Sequence, residues 1–181
     1  LCGLQRSTAL QGRVAAWIAL LQGSGVPVLG LDAVLEAMQT RGEEAFFRTD
    51  THWTEDGAQH AAQAVARAAQ ASGWSPEPVQ EYDAVREAPA VRPGDLVRLA
   101  GIEGLPARWQ PAPETARSAR FTPRSAAEED DLFGDAKLPR TVLIGTSFSR
   151  TSGFVGYLAV ALHTPVANFG RDGGNFSGGA A

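Results

Sequence analysis

An α/β fold built on a parallel sheet is the architecture predicted by this chain of 181 residues, and three observations carry that expectation. Thr141-Val142-Leu143-Ile144 is a continuous apolar, β-branched run, typical of a strand buried on both faces. The stretch Ser152 to Leu162 reads as a helix, and Pro165-Val166-Ala167-Asn168-Phe169 as a second short strand. A strand–helix–strand unit of this kind is by default a right-handed parallel crossover. Upstream, the short aromatic-rich run Ala45-Phe46-Phe47-Arg48 leads through a loop into a long helix of small residues, repeating the order of strand, loop and helix.

The elements follow along the chain. Val14, Trp17, Ile18 and Leu21 share one helical face. Val26-Pro27-Val28-Leu29-Gly30-Leu31 reads as a strand, and Asp32 as the cap of a helix reaching about Thr40. Residues 44–48 read as the next strand. Thr54 has the character of an N-cap, with Glu55 and Asp56 in the first turn where the helix dipole favours acids. Ala58, Ala61, Ala62, Ala64, Val65 and Ala68 then extend that helix to about Ser72-Gly73. Between Trp74 and Leu138 proline and charge become denser and helical periodicity fades. Only short strand-like pieces stand out there, Leu96-Val97-Arg98-Leu99 and Ala119-Arg120-Phe121. A structureless loop of this length is improbable in a compact domain, so residues 74–138 are expected to form an insertion or lid-like region, with Glu128-Glu129-Asp130-Asp131 as a surface excursion. Trp17 and Trp74 are core candidates, and Trp109 is read as packing the insertion onto the body. Four sheet strands are expected, at 26–31, 44–48, 141–145 and 165–169. Sheets commonly hold about five or six, so a truncated domain is expected.

Two strand ends carry the chemistry. In a helix, residues two apart do not face each other. In an extended segment or tight turn they do, so the Asp50 carboxylate can reach Nδ1 of His52 while Thr51 points away. His52 then lies on a loop at the carboxyl end of a strand, where open α/β sheets place ligand sites. Ser147 follows Val142-Leu143-Ile144-Gly145-Thr146 and precedes a helix, so backbone N–H groups at that turn can face a developing oxyanion. Together the three supply a nucleophile, a general base and a carboxylate that orients the base.

These strings resemble a known family. Asp50-Thr51-His52-Trp53, Gly145-Thr146-Ser147-Phe148-Ser149 and the intervening Arg92-Pro93-Gly94-Asp95-Leu96 are similar to the SGNH hydrolase-like domain of alginate O-acetyltransferases, from about Val26 to Gly174. The order Asp50, His52, then Ser147 matches the permuted arrangement of that group. The resemblance implies a three-layer α/β/α, flavodoxin-like parallel sheet, circularly permuted and interrupted by the insertion, in a single domain over 1–181. It implies Ser147 as nucleophile, His52 as general base and Asp50 as orienter. The run Gly170-Arg171-Asp172-Gly173-Gly174-Asn175 resembles the block whose glycine N–H joins that of Ser147 in the oxyanion hole, with Gly170 or Gly173 in that role. Asn168 and Asn175 are both candidates for the third donor. Arg48, Trp53, Arg150, Arg171 and Asn175 flank the site as candidate substrate-binding residues, although Trp53 also reads as a packing anchor. The implied partners are a polysaccharide acceptor and an acetyl donor, either a protein or a membrane acetyl relay, in a periplasmic or extracytoplasmic setting.

Composition narrows the remaining classes. A net charge of −4 argues against a nucleic-acid groove. All but one of the 16 basic residues are arginine, the exception being Lys137, which with much Ala, Gly and Pro indicates a GC-rich coding sequence. No apolar run approaches the roughly 20 residues of a membrane span. The single Cys2 forms no internal disulfide. No phosphate loop or dinucleotide fingerprint occurs, so no cofactor is expected. A metal set of Asp50, His52 and His60 lacks the spacing of a zinc site; His60 reads as helix surface and His163 as a helix C-terminal residue favoured by the dipole, so no metal is expected. Acetyl transfer to a glycan is thus the leading expectation. A carbohydrate esterase with water as acceptor is the first alternative, and a non-catalytic glycan-binding or assembly module the second.

Overall fold

The computed structural model describes residues 12–124 and 139–174. Six α-helices are described, α1 (Arg13–Gly23), α2 (Asp32–Thr40), α3 (Glu55–Ala71), α4 (Asp95–Leu99), α5 (Ser147–Arg150) and α6 (Phe154–Leu162), with a short 3-10 turn at Ala107–Trp109. The strands are β1 (Tyr82–Arg86), β2 (Ala90–Arg92), β3 (Glu114–Ala116), β4 (Ala119–Pro123), β5 (Thr141–Leu143) and β6 (Val166–Asn168). None of the described helices is long and apolar enough to cross a membrane.

The centre of the fold is the contact between α3 and α6. Ala58, Ala61 and Ala62 on α3 are fully buried, and their small side chains let the helix approach Phe154, Tyr157, Leu158 and Leu162 of α6 closely. Trp53 closes the cluster and Trp74 packs on its edge, whereas Trp17 is exposed. The cap of α3 forms as expected: the Thr54 hydroxyl accepts from Gly57 N at 3.0 Å and donates to Glu44 O at 2.6 Å. Gly57 is needed there, because a Cβ would lie 2.1 Å from Ala45 O.

Behind α6, β5 and β6 pair in parallel with Thr141 opposite Val166 and Leu143 opposite Asn168, giving the expected crossover. β5 ends at Leu143, and Thr146 continues the ladder through a bridge to Arg171. The helix expected from Ser152 begins two residues later at Phe154, because Ser152 and Gly153 both take left-handed backbone angles.

The other two expected strands do not form. Residues 26–31 have no pairing partner among the described residues, and Val26 and Leu29 stay exposed. Residues 44–48 fold back on 52–54 instead of joining a sheet: Phe46 bridges Trp53, Phe47 N donates to His52 O, and Thr54 N donates to Ala45 O. Asp32 is the first residue of α2 and its side chain makes no cap bond.

Residues 74–124 are more ordered than their sequence suggests. β1 pairs antiparallel with β4 and β2 with β3, and Arg92 of β2 stands opposite Glu114 of β3. Phe121 of β4 lies over α6 at Gly156, where a Cβ would sit 2.1 Å from its ring. Leu96–Leu99 is helical rather than strand-like: four apolar positions do not define a period, and Asp95 suits the first turn of a helix. Trp109 is largely exposed. The acidic run at 128–131 lies outside the described residues.

Candidate active site

The loop Arg48–Trp53 brings an acid and a base together. His52 Nδ1 lies 2.7 Å from Asp50 Oδ1, which also accepts the His52 backbone N–H at 2.9 Å. An ionised carboxylate only accepts, so Nδ1 carries the proton and Nε2 is left as the acceptor. On that side Ser147 Oγ stands 2.7 Å from Nε2, 95 positions away in sequence. Burial alone would raise the Asp50 carboxyl. The backbone and ring bonds from His52 and the Arg92 charge outweigh it, holding the group below its ordinary value.

The loop keeps its shape through residues 92–96 and 114. Arg92 donates from Nε at 3.2 Å and Nη2 at 3.0 Å to Asp50 Oδ2, and its guanidinium lies 4.7 Å from the centre of the Phe47 ring. Asp95 accepts from the Thr51 backbone N–H at 2.7 Å and from the Thr51 hydroxyl at 2.5 Å. Buried Glu114 accepts from Arg48 N at 2.9 Å, from Thr49 N at 2.7 Å and from the Thr49 hydroxyl. These bonds, with the Arg48 charge, overcome the burial of Glu114 and lower its carboxyl from the ordinary value. Leu96 N donates to Thr49 O, and Gly94 presses on the same carbonyl so closely that a Cβ there would lie 1.8 Å from it.

The serine turn is held separately. Ser147 opens α5 after Thr146, whose hydroxyl accepts from Phe148 N at 3.4 Å. Buried Ser149 donates from its hydroxyl to Thr146 O, and Asn168 Nδ2 donates to Ser149 O. Arg171 N donates to Gly145 O, tying the turn to the chain beyond β6. Phe148 joins the two loops: its ring centre lies 5.0 Å from that of His52 and 5.2 Å from that of Trp53. Trp53 in turn stacks on Phe154 at 4.8 Å, and Ser152 Oγ donates to Trp53 O.

The other sequence-derived candidates stand beside this relay or outside it. Trp53 is a buried packing residue and presents no face to a substrate. The Gly170 N–H is turned to Asn168 Oδ1 at 3.0 Å, so it does not face the serine. Among the described residues no hydrogen bond joins Gly173 to the serine turn; its φ is +66°. Asn168 clamps Ser149 and Gly170 rather than reaching Ser147. Arg48 is exposed beside Glu44 and Glu114, and Arg150 is exposed with Asp172 at 3.7 Å. Arg171 enters through its backbone, and Asn175 lies outside the described residues. His60 Nδ1 lies 2.9 Å from its own helix's Asp56 O, and His163 pairs with Glu81, so neither joins the site. Asp50, His52 and Asp95 do bring one donor atom each to within 4.8 Å of one another, yet Asp50 already faces the cationic Arg92.

Sequence reasoning missed Arg92, Asp95, Glu114 and Phe148 as parts of the site. Arg92 and Asp95 sit in the Arg92-Pro93-Gly94-Asp95-Leu96 string, which carried a signal through resemblance alone. Glu114 carried none, because its role depends on the β2–β3 pairing.

A parallel strand–helix–strand unit with a serine at the first strand's end, facing an Asp-x-His loop, is the arrangement of an SGNH hydrolase-like protein. The chain belongs to the family described as SGNH hydrolase-like domain, acetyltransferase AlgX, whose sequence model matches residues 1–181. It is 36% identical over 149 residues to the probable alginate O-acetylase AlgJ of Pseudomonas putida, covering 79% of this chain and 38% of that protein. To the alginate biosynthesis protein AlgX of Pseudomonas syringae pv. tomato it is 32% identical over 145 residues, covering 77% of this chain and 29% of that one. The solved O-acetyltransferase domain of Pseudomonas putida AlgJ superposes with a TM-score of 0.76 at 27% identity, covering 94% of this chain and 56% of that chain. The chain thus spans well under half the length of the curated relatives it matches. The SGNH-like, permuted α/β expectation is borne out at the level of fold and family.

Proposed function

We propose that this domain is an O-acetyltransferase that moves an acetyl group onto hydroxyls of an alginate-like exopolysaccharide, with Ser147 as nucleophile, His52 as general base and Asp50 as its orienter. The continuous line of 2.7 Å contacts from Asp50 through His52 to Ser147 carries this reading, and the names of its relatives supply the acceptor class. In the first half-reaction His52 Nε2 takes the proton of Ser147 as Oγ bonds to the acetyl carbonyl carbon. The tetrahedral intermediate collapses to acetyl-serine, and the proton passes to the departing donor group. A glycan hydroxyl then attacks the acetyl-serine, giving its proton to Nε2. Ser147 leaves with that proton, the sugar keeps the acetyl ester, and the enzyme is restored. The N–H of Ser147, at the start of α5, is the donor we assign to the oxyanion.

Arg150 and Arg171, beside the serine turn, are the basic residues we assign to the polymer's negative charge. We read residues 74–138 as an insertion whose inner edge shapes the acid–base loop. An acetyl donor protein or a membrane relay would supply the group, and an exopolysaccharide acceptor places the reaction outside the cytoplasm. The test is incubation of the purified protein with a chromogenic acetyl ester, with and without oligouronate, following acetylated sugar and acetyl-protein by mass spectrometry. The expected result is acetyl-oligouronate formed by the parent and lost in Ser147→Ala. Acetate release indifferent to the sugar would identify an esterase instead. An unchanged Ser147→Ala variant would remove the chemistry from this site.

A further inference from the structure

We infer that two carboxylates divide the work on the His52 imidazole: Asp50 sets its tautomer and orientation, while Asp95 supplies the negative charge that Arg92 withdraws from Asp50. This rests on the acetyl-transfer reading only in so far as His52 must become protonated during turnover. Both oxygens of Asp50 are committed, Oδ1 to His52 N and Nδ1 and Oδ2 to Arg92 Nε and Nη2. Both guanidinium nitrogens meet Oδ2, the oxygen turned away from the ring, so the Arg92 charge offsets part of the Asp50 charge that the imidazole meets. The second carboxylate is placed to replace it. Asp95 Oδ2 lies 3.7 Å from His52 Nδ1, and the hydrogen bonds fixing Asp95 come from Thr51, which is neutral. Among the described residues no arginine forms an ion pair with Asp95, so its charge acts on an imidazolium at a distance where Coulomb attraction is appreciable.

The groups facing the ring among the described residues are Asp50 and the Thr51 hydroxyl from its own loop, Asp95 from α4, and Ser147 and Phe148 from α5, with Arg92 of β2 behind Asp50. With Arg92 offsetting part of the Asp50 charge, Asp95 is a positioning residue that acts on the reaction through His52. Its bonds to Thr51 also fix the residue between the acid and the base.

The experiment is a nitrogen-15 NMR titration of the histidine side chains in the full chain. With three histidines present, His60→Gln and His163→Gln identify the His52 signals. Asp95→Asn keeps an acceptor for the Thr51 N–H and removes the charge. It should lower the His52 titration midpoint. Arg92→Gln should raise it, and Asp95→Glu should return it toward the parent. Loosening of the loop alone would move both neutralising variants in the same direction, and that result overturns the inference, as does an unmoved midpoint in either. Asp95→Ser removes the same charge and decides if Asp95→Asn does not fold. The acidic limb of the kcat/KM profile for acetyl-ester turnover should follow the same two displacements. NMR shifts of opposite sign in a protein with no Ser147-dependent turnover would leave the division of charge standing and strike the acetyl-transfer reading alone.

Discussion

Replacing Gly94 with alanine places one methyl group against the backbone of the Arg48–Trp53 loop without touching Asp50, His52 or Ser147, the side chains proposed to react. The added carbon would lie 1.8 Å from Thr49 O and 2.3 Å from Thr49 C, where real contacts essentially never fall below 3.0 Å. Thr49 O is a backbone atom that also accepts from Leu96 N, so no flexible side chain can yield. The loop or the start of α4 must retreat by at least about 1.2 Å, and a misplacement near 1 Å costs on the order of 100-fold in rate. The relay from Asp50 to Ser147 has 2.7 Å contacts at both ends, which leaves little slack to absorb that shift. We therefore expect Gly94→Ala to lose about 100-fold in kcat/KM for acetyl-ester turnover, with a fold destabilised by about 1–3 kcal/mol. Steady-state kinetics beside urea denaturation measures both. Gly104→Ala is the control, since nothing lies within 4 Å of the added carbon. A folded Gly94→Ala protein with turnover within about threefold of the parent would refute the claim that residues 92–96 shape the loop.

Thr54→Ala removes the cap of α3 and the bond to Glu44 O together, and should cost about 1–2 kcal/mol in urea denaturation. Gly156→Ala drives a methyl group into the Phe121 ring. It should lower stability by about 1–3 kcal/mol and raise amide exchange in β1 and β4 before the rest of the chain. Asp50→Asn keeps the shape but reverses the hydrogen-bond logic at Nδ1, so turnover should fall by about 1,000- to 10,000-fold while the melting transition persists. Asp50 and Glu114 both have carboxyls held below their ordinary values in the folded state. Their contribution to stability is therefore complete above the unfolded carboxylate pKa and is lost as pH falls through the lower folded one. Urea midpoints measured downward from neutral pH should drop in that acidic window, and the drop should be shallower in a Glu114→Gln variant.

Local chemistry was legible wherever a short stretch of chain determined the outcome. The Thr54 cap, the alanine face of α3, the β5–α6–β6 crossover and the Asp50–His52 geometry each depend on neighbours within a few turns or on one crossover rule. The strand expected at 26–31 failed because strand formation needs a partner, and exposed Val26 and Leu29 find none among the described residues. Residues 44–48 failed for the related reason that their backbone bonds are taken by 52–54. Leu96–Leu99 was too short to distinguish a strand from a helical turn.

The amino-acid order by itself determined the three chemical groups, the turn that lets an acid reach a base two residues away, and the family they belong to. Tertiary structure alone decided how that turn is held. Arg92, Asp95 and Glu114 reach it from 42 to 66 positions away, and Trp53, a candidate for substrate contact by sequence, went inward to stack on Phe154. The physical reason is that a hydrogen bond between neighbours needs only favourable local torsions. A charge held beside the loop from another element requires the β2–β3 pairing and the α4 start to form first, and no periodicity in sequence records that pairing.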